Sequence, residues 1–352
     1  MSDPREQPGL PAAARRELER APPFRPPPWL RGAHAQTVWS PLFRRRHRPP
    51  LPFALERLTT PDRDFVRLHH LAGRPGSPRL VILHGLEGSV RSNYVGGLAR
   101  RAGARGWAVT ALEFRSCGGE LNRGRRLYHL GETWDLDHLV GELTRREPGR
   151  PLLLGGVSLG ANVIVKWLGE RGEDAPAEVR GAAAISAPFD LTVSGPVLDR
   201  ALGGLYTRRF LRTLIPKALA KERQYPGSID RERVARARTF AEFDTWATAR
   251  LHGFRDAWDY WERCSSGPFL ERVRRPLLLV SAADDPFNPA ATLPRGIADR
   301  NPRIAALFTE RGGHVGFVEG TPWRPRHWAE ERAVGFLAAV AGVVGGEHHE
   351  VV

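Results

Sequence analysis

The sequence predicts an α/β fold with a mostly parallel central sheet, and two observations predict it. Short apolar runs such as "LVILH", "PLLLGGV" and "GAAAIS" do not alternate with polar residues, which is typical of strands covered on both faces. Longer stretches with helical spacing lie between these runs. Because strands and helices alternate along the chain, we expect helices to flank the sheet on both faces.

The predicted elements follow one another from residue 79 onward. Strands are predicted at "LVILH", "AVTALEF", "PLLLGGV" and "GAAAIS", and helices at "YVGGLARRAGARG", "TWDLDHLVGELTRRE" and "ANVIVKWLGE". The alternation stops after "SAPFDL", and residues 191–273 contain charged and aromatic helix-like pieces without a convincing strand. It resumes with strands at "PLLLVSA" and "IAALFT" and with a closing helix at 328–344. We therefore expect residues 191–273 to form a helical cap over a cleft of the sheet.

Both ends of the chain are predicted to lie outside this folded unit. Residues 1–28 are dominated by proline and charge and lack a helical or strand period, which predicts a flexible leader. Residues 346–352 are predicted to fray, which leaves residues 29–345 as the folded domain. The leader lacks the apolar segment of a secretory signal, and "FLAAVAGVV" is far shorter than the ~20 residues that span a bilayer. We expect a cytoplasmic protein.

The chain of 352 residues is strongly basic, with a formal net charge of +14. Its arginines are spread along the sequence and interrupted by acidic residues, as in "RRELER", and no nucleic-acid-binding motif accompanies them. We expect no nucleic-acid partner, whereas a weak peripheral association with anionic membranes is compatible with this charge. Cys117 and Cys264 have neither disulfide nor metal-ligand spacing, so we expect a reducing compartment and no metal or organic cofactor.

One serine stands where a predicted strand turns into a helix. In "GGVSLG" the spacing Gly156-x-Ser158-x-Gly160 has the strand–turn–helix context of a nucleophile elbow. Glycines at the flanking positions suit a sharp turn, because side chains there would clash with adjacent segments. The alternative interpretation is an ordinary strand-to-helix turn of a Rossmann-like unit, and the residues that accompany the serine decide between the two.

A nucleophilic serine needs a base that takes its proton and a carboxylate that orients the base. In an α/β-hydrolase fold these residues follow in the order serine, acid, histidine, on loops after later strands. Asp284 and Asp285 follow the strand "PLLLVSA", and His314 follows the next strand. We favour Asp285 as the acid because it stands four residues before Pro289, whereas Asp284 suits a turn or a helix N-terminus.

Ester hydrolysis also requires hydrogen-bond donors that stabilise the negative charge developing on the carbonyl oxygen. One predicted donor is the backbone N–H of Leu159, directly after the serine, and the other is the N–H of Leu86 in "LVILHGLEGS". His84, in the same loop, is predicted to hold the loop in place and not to act as a base.

Several separated segments resemble one family. "HGLEGSVRSNYV", "EFRSCGGELN", "GGVSLGANVIVKWLGE", "DDPFNP" with "GGHVGF", and "WLRGAHAQTVW" are similar to the YheT-like branch of the α/β-hydrolase superfamily, which is related to the ABHD1 and ABHD3 type hydrolases. The resemblance covers nearly everything from Pro26 to Gly342. One departure is "RSCGGE" at residues 115–120, where relatives tend to read Arg-Gly-Cys-Ser-Gly-Glu.

The resemblance implies a serine hydrolase in which Ser158 is the nucleophile, Asp285 the acid and His314 the base. Its expected substrates are carboxylic esters with short- to medium-chain acyl groups, or acylglycerol-like lipids. An acyltransferase or amidase with the same residues, and a binding protein without catalysis, are the alternatives. The aromatic block "FDTWATARLHGFRDAWDYWERC" either lines an acyl pocket or packs the cap against the core.

Overall fold

The computed structural model describes residues 9–44 and 51–342 and contains an eight-stranded sheet. The strand order is β1-β2-β4-β3-β5-β6-β7-β8; β1, β2 and β4 pair antiparallel, and every pair from β4 to β8 is parallel. A separate hairpin pairs β9 with β10. The strands are β1 Ala54–Thr59, β2 Phe65–Leu71, β3 Arg79–Leu83, β4 Ala108–Glu113, β5 Leu152–Val157, β6 Val179–Ile185, β7 Leu277–Ala282, β8 Ile304–Thr309, β9 Val318–Thr321 and β10 Arg324–His327.

Helices cover both faces of the sheet, which confirms the predicted α/β class. One core joins the sheet to α4 and α5 through Leu139 and Trp167, and the other joins it to α3 and α13 through Leu98 and Phe336. The helices are α1 Ala12–Arg20, α2 Ala33–Phe43, α3 Asn93–Ala104, α4 Trp134–Arg146, α5 Leu159–Arg171, α6 Leu191–Arg200, α7 Leu205–Gln224, α8 Arg231–Arg236, α9 Phe240–Phe243, α10 Ala249–His252, α11 Ala257–Cys264, α12 Arg295–Arg300 and α13 Trp328–Val340.

The central strands are buried along their whole length because both of their faces meet helices. Every residue of β5 and of β7 is buried. Such strands need apolar side chains at successive positions, which explains why their sequences do not alternate. The carboxyl ends of these parallel strands meet at one edge of the sheet, where a ligand cleft is expected in open α/β folds.

The chain between β6 and β7 is helical from Leu191 to Arg272, and it has a core of its own. Leu211, Phe243, Tyr260 and Trp261 are buried in that core. We call these helices, α6 to α11, the cap. Polar side chains start several of them: the Asp190 carboxylate accepts hydrogen bonds from the N–H groups of the first turn of α6, which satisfies donors that the helix cannot.

The segment before residue 28 differs from the predicted flexible leader. From residue 9 it is ordered, and α1 packs against α13 with Ala14 fully buried. Ala14 and Leu18 lie four residues apart on one face of α1 and join the core beneath α13, where Leu10, just before the helix, also packs. The abundance of proline and charge hid this short apolar stripe. The predicted tail, residues 346–352, lies outside the described residues.

Within residues 9–44 and 51–342, no helix combines the length and the apolar character that crossing a bilayer requires.

Candidate active site

Ser158 lies between β5 and α5 in a left-handed backbone conformation, with φ 54° and ψ −118°. Its N–H donates to the Ile185 carbonyl at 2.8 Å, which ties the turn to β6. A Cβ at Gly160 would lie 2.4 Å from the Leu83 carbonyl oxygen, so only glycine fits where α5 passes β3. The strained turn lifts the serine hydroxyl above the strand ends, because β5 and α5 both hold the backbone on either side.

Two hydrogen bonds join Ser158, His314 and Asp285 into one chain of contacts. The Ser158 hydroxyl and His314 Nε2 are 2.9 Å apart, and His314 Nδ1 lies 2.8 Å from Asp285 Oδ2. Both the imidazole and the carboxylate are buried, at 8% and 5% exposure. The structure therefore brings together the three side chains that the sequence analysis selected from three separate loops.

Asp285 is held by donors from the turn that follows β7. Its Oδ1 accepts from the Phe287 N–H at 2.8 Å and from the Asn288 N–H at 3.2 Å. The Asn288 side chain also donates to Asp285 Oδ2 at 3.2 Å. Asn288, which lies in the "DDPFNP" segment, was not predicted from the sequence to have a role. These contacts leave one side of the carboxylate facing His314.

Asp284 contacts the histidine loop without contacting the imidazole. Its Oδ1 accepts from the Gly313 N–H at 2.8 Å. Burial raises the pKa of Asp284, against the hydrogen bonds that it accepts from that loop. Asp285 thus binds the ring of His314, whereas Asp284 binds the backbone of the loop that carries this ring.

Helix α2 lies directly against the histidine loop. The His314 N–H donates to the Thr37 hydroxyl at 2.9 Å, and that hydroxyl donates to the Ala33 carbonyl at 2.8 Å. A Cβ at Gly313 would lie 2.4 Å from the Ala33 oxygen, and its φ of +61° favours glycine as well. The approach of α2 thus needs a glycine beside the histidine.

Gln36, on the same helix, is fully buried and fixes the chain beyond the loop. Its amide accepts from the Val318 N–H at 2.8 Å and donates to the Val318 carbonyl at 3.0 Å. From the sequence, "WLRGAHAQTVW" indicated only a family resemblance. The polar pair Gln36-Thr37 in this stretch could have indicated a structural role, but no feature of the neighbouring sequence predicted a contact with the His314 loop.

The predicted oxyanion loop is fixed on both sides of Leu86. The Gly85 N–H donates to the Tyr94 hydroxyl at 2.9 Å, and the Glu87 N–H donates to the Tyr128 hydroxyl at 2.8 Å. Glu87 has a φ of 53°, which bends the loop sharply. A Cβ at Gly85 would lie 3.3 Å from the Ser158 Cβ, so this loop closely borders the serine.

His84 anchors that loop from below and is a neutral ring. Burial lowers its pKa to about 4. Its Nδ1 lies 2.7 Å from the Gly85 carbonyl oxygen and donates to it, while Nε2 accepts from the Phe114 N–H at 3.1 Å. Both ring nitrogens are therefore committed to backbone groups.

The loop at residues 115–120, which departs from the pattern of relatives, starts at a buried arginine. Arg115 donates to Asp135 through both Nε and Nη2, with the shortest contact at 2.7 Å, and its Nη1 donates to Asp62 at 2.6 Å. Partial burial opposes ionisation of Asp62, but the hydrogen bonds from Arg115 and Thr60 lower its pKa to about 2. This ion network ties the β1–β2 turn and the start of α4 to the loop after β4.

His129, Glu132 and His252 form a group whose nitrogen and oxygen atoms lie within 4.8 Å of one another. His129 Nδ1 accepts from the Gly131 N–H at 3.1 Å, and Glu132 accepts from Arg126 at 2.5 Å. Burial lowers the pKa of His129 to about 3, and the nearby positive charge of Arg126 lowers it further. Because Arg126 already neutralises the Glu132 carboxylate and the Gly131 N–H occupies His129 Nδ1, we assign no metal ion to the group.

A small cavity of about 40 Å³ separates the oxyanion loop from the cap. Leu86 borders it on the side of the oxyanion loop, and most of its other lining residues belong to the cap, among them the apolar Leu214, Phe240 and Leu251. Of the aromatic block in the sequence, Phe243 and Tyr260 line this cavity. Trp261 instead packs inside the cap and donates to Asp244 at 2.9 Å, so the block serves both the cavity and packing.

Comparison with known proteins defines the class of this protein. Residues 78–321 match the family model for the alpha/beta hydrolase fold, so the chain belongs to the α/β-hydrolase family. Within that family it belongs to the YheT-like branch. YheT of Escherichia coli (strain K12), which is named as an esterase, is 38% identical over 91% of this chain and 94% of its own length.

Two further comparisons agree with this assignment. The phospholipase ABHD3 of Mus musculus is 28% identical over 84% of this chain and 74% of its own length. The solved structure of the Pyrococcus furiosus esterase Pf2001 matches with a TM-score of 0.55 at 17% identity, covering 81% of this chain and 90% of that one. The latter likeness supports the fold.

Proposed function

We propose that the protein is a serine hydrolase that cleaves carboxylic esters, with Ser158 as nucleophile, His314 as base and Asp285 as the acid that orients the base. The observation that carries this proposal is the pair of hydrogen bonds, 2.9 Å and 2.8 Å long, that links the three side chains. A serine becomes nucleophilic when such a base accepts its proton.

The reaction follows from that geometry. His314 Nε2 takes the hydroxyl proton while Ser158 Oγ attacks the ester carbonyl, and the Asp285 carboxylate stabilises the imidazolium that results. The N–H groups of Leu86 and Leu159 stabilise the negative oxygen of the tetrahedral intermediate. His314 then gives its proton to the departing alcohol, which leaves an acyl-enzyme. A water molecule, deprotonated by His314, releases the acid in the second half-reaction.

The names of the relatives support an ester substrate. YheT is named as an esterase and ABHD3 as a phospholipase, and this chain is a hydrolase of the same class. The cavity beside Leu86 supports an acyl group on that side, because most of the residues that line the cavity are apolar or aromatic. We propose short- to medium-chain acyl esters or acylglycerol-like lipids as substrates.

Fluorophosphonate labelling tests the nucleophile. The wild type is expected to label, and Ser158→Ala is expected to lose both the label and p-nitrophenyl ester hydrolysis, with kcat falling on the order of 10⁴- to 10⁶-fold. Ser281→Ala is the matched control, because Ser281 is a buried serine of β7 whose hydroxyl has no hydrogen-bond partner among the described residues. That variant is expected to label and to hydrolyse esters like the wild type.

Retention of labelling in Ser158→Ala would contradict the assignment of the nucleophile. Absence of both labelling and hydrolysis in the wild type, across p-nitrophenyl esters from acetate to palmitate, would contradict the proposed activity. The chain length that gives the highest kcat/KM identifies the preferred acyl group.

A further inference from the structure

The turn between α6 and α7 presents two leucines to solvent. Leu202 is 46% exposed and Leu205 is 55% exposed. We call residues 200–212, which contain both, the cap tip. Leu202 has φ 47° and ψ 45°, a left-handed conformation that is uncommon for a leucine, and Gly203 and Gly204 continue in the same region. The backbone therefore turns the leucine outward at a cost in strain.

The tip is held in this conformation by hydrogen bonds on both sides of the turn. Arg208 Nη1 donates to the Gly203 carbonyl at 2.8 Å, and the Thr207 hydroxyl donates to the Leu198 carbonyl at 3.1 Å. The leucines are therefore exposed by a turn that hydrogen bonds hold in place.

The exposed face of α7 combines the second leucine with positive charge. Leu205, Arg208, Arg209 and Arg212 follow one another at i, i+3, i+4 and i+7, so they share one face of the helix, and all four are exposed. Arg200 is exposed at the other end of the turn. The cap tip contains no acidic residue, and none of its four arginines has an ion pair within the described part of the chain.

The opposite side of α7 leads straight to the proposed active site. Tyr206 is buried, and its ring lies 4.7 Å from that of Phe287. The Phe287 ring is in turn 4.2 Å from the imidazole of His314. Two aromatic rings therefore separate the exposed tip from the histidine.

We propose that the cap tip docks on a lipid bilayer that contains anionic phospholipids. Leu202 and Leu205 enter the boundary between headgroups and acyl chains, and the arginines bind lipid phosphates. Apolar side chains on a face lined with arginine are what an interfacial surface requires, and the net charge of +14 favours the same anionic partner. The docked tip places the Ser158 cleft at the surface where lipid esters are found. This last step rests on the proposed function, whereas docking itself does not.

Vesicle co-sedimentation of the Ser158→Ala variant tests docking apart from hydrolysis. The protein is mixed with phosphatidylcholine vesicles that either contain or lack phosphatidylglycerol. Binding is expected only to the anionic vesicles, and Leu205→Ser is expected to weaken it roughly tenfold or more, because the apolar side chain that enters the bilayer is lost. Arg209→Gln and Arg212→Gln are expected to weaken binding about fivefold each. Leu55→Ser is the matched control, since Leu55 is equally exposed, at 55%, but lies on the edge strand β1.

The same substitutions in the active protein separate docking from catalysis. Leu205→Ser is expected to hydrolyse the soluble ester p-nitrophenyl acetate like the wild type, because the Leu205 side chain is exposed to solvent and forms no part of the proposed active site. Absence of binding to anionic vesicles would overturn the proposal, as would an equal loss of binding in Leu205→Ser and Leu55→Ser. Binding that depends on the arginines but not on the leucines, or binding to a DNA duplex in place of vesicles, would overturn insertion into lipid.

Discussion

Asp284 and Asp285 are adjacent in the sequence, yet they contact different parts of the loop that carries His314. Asp285 accepts from the imidazole, and Asp284 accepts from the backbone N–H of Gly313. In the sequence, only the distance of Asp285 from Pro289 favoured Asp285 as the acid. The turn after β7 gives the physical reason, because the N–H groups of Phe287 and Asn288 direct its carboxylate toward the ring.

This division predicts unequal effects of two matched substitutions. Asp285→Asn is expected to lower kcat for p-nitrophenyl acetate about 10⁴-fold, because a neutral amide neither fixes the tautomer of His314 nor stabilises its charge. Asp284→Asn is expected to cost less than about tenfold, since its amide oxygen still accepts from Gly313. Equal losses in the two variants would show that the carboxylates have been assigned to the wrong roles.

Thr37 predicts a second effect at the scale of one residue. Thr37→Val removes the acceptor of the His314 N–H but keeps the shape of the side chain. The imidazole is then less well positioned, so kcat is expected to fall roughly 10- to 100-fold with little change in KM. Thr37→Ser keeps the hydroxyl and is expected to restore most of kcat. A serine variant as slow as the valine variant would refute a positioning role for the hydroxyl.

At the scale of elements, the helices of the cap pack around a small group of buried polar side chains. His252, at the end of α10, has no hydrogen-bond partner for either ring nitrogen among the described residues. Its ring lies 4.5 Å from that of His129. Burial lowers the pKa of His252 well below its usual value, and the positive charge of nearby arginines acts in the same direction. His252 is therefore neutral in the folded cap.

Replacing His252 predicts a gain in stability that depends on pH. His252→Phe is expected to raise the free energy of unfolding by about 1–2 kcal/mol at pH 7, because a buried unpaired polar group is removed. Below a pH of about 6.5 the unfolded histidine takes up a proton that the folded one refuses, so the wild type loses stability as pH falls and the gain in the variant grows. Urea unfolding at pH 7 and pH 5 measures both.

His138→Phe provides the comparison for this experiment. The ring of His138 donates to the Thr59 carbonyl at 2.9 Å, so its replacement is expected to destabilise the protein by about 1 kcal/mol. A His252→Phe variant that unfolds as easily as His138→Phe would mean that the nitrogens of His252 are satisfied in solution.

At the scale of the whole molecule, contacts between distant segments hold the hydrolase domain together. The buried Arg115 joins the turn after β1 to α4, and α2 joins the start of the chain to the histidine loop. The segment that follows α1 in turn joins the start of the chain to the last helix, α13. Phe24 packs against Trp328 with ring centres 5.7 Å apart, and the Trp328 indole donates to the Pro22 carbonyl at 2.9 Å.

A charge placed beneath α1 tests whether this segment contributes to stability. Ala14→Glu is expected to lower the free energy of unfolding by about 2–4 kcal/mol, because Ala14 is fully buried in the apolar core beneath α13 and a carboxylate there would be desolvated. Ala12→Glu is the control, since Ala12 is exposed in the first turn of the same helix. Equal stability of the two variants in urea would support the flexible leader that composition predicted.

The sequence by itself determined the fold class, because unbroken apolar strands and helical spacing are local patterns. The Gly-x-Ser-x-Gly spacing and the order of Asp285 and His314 were also readable, since each lies just after a strand. Only the tertiary structure decided which groups hold these residues: Thr37 reaches His314 across 277 positions of the sequence, and α1 folds onto α13. Such contacts depend on how whole elements pack, and no local pattern records which distant segments will meet.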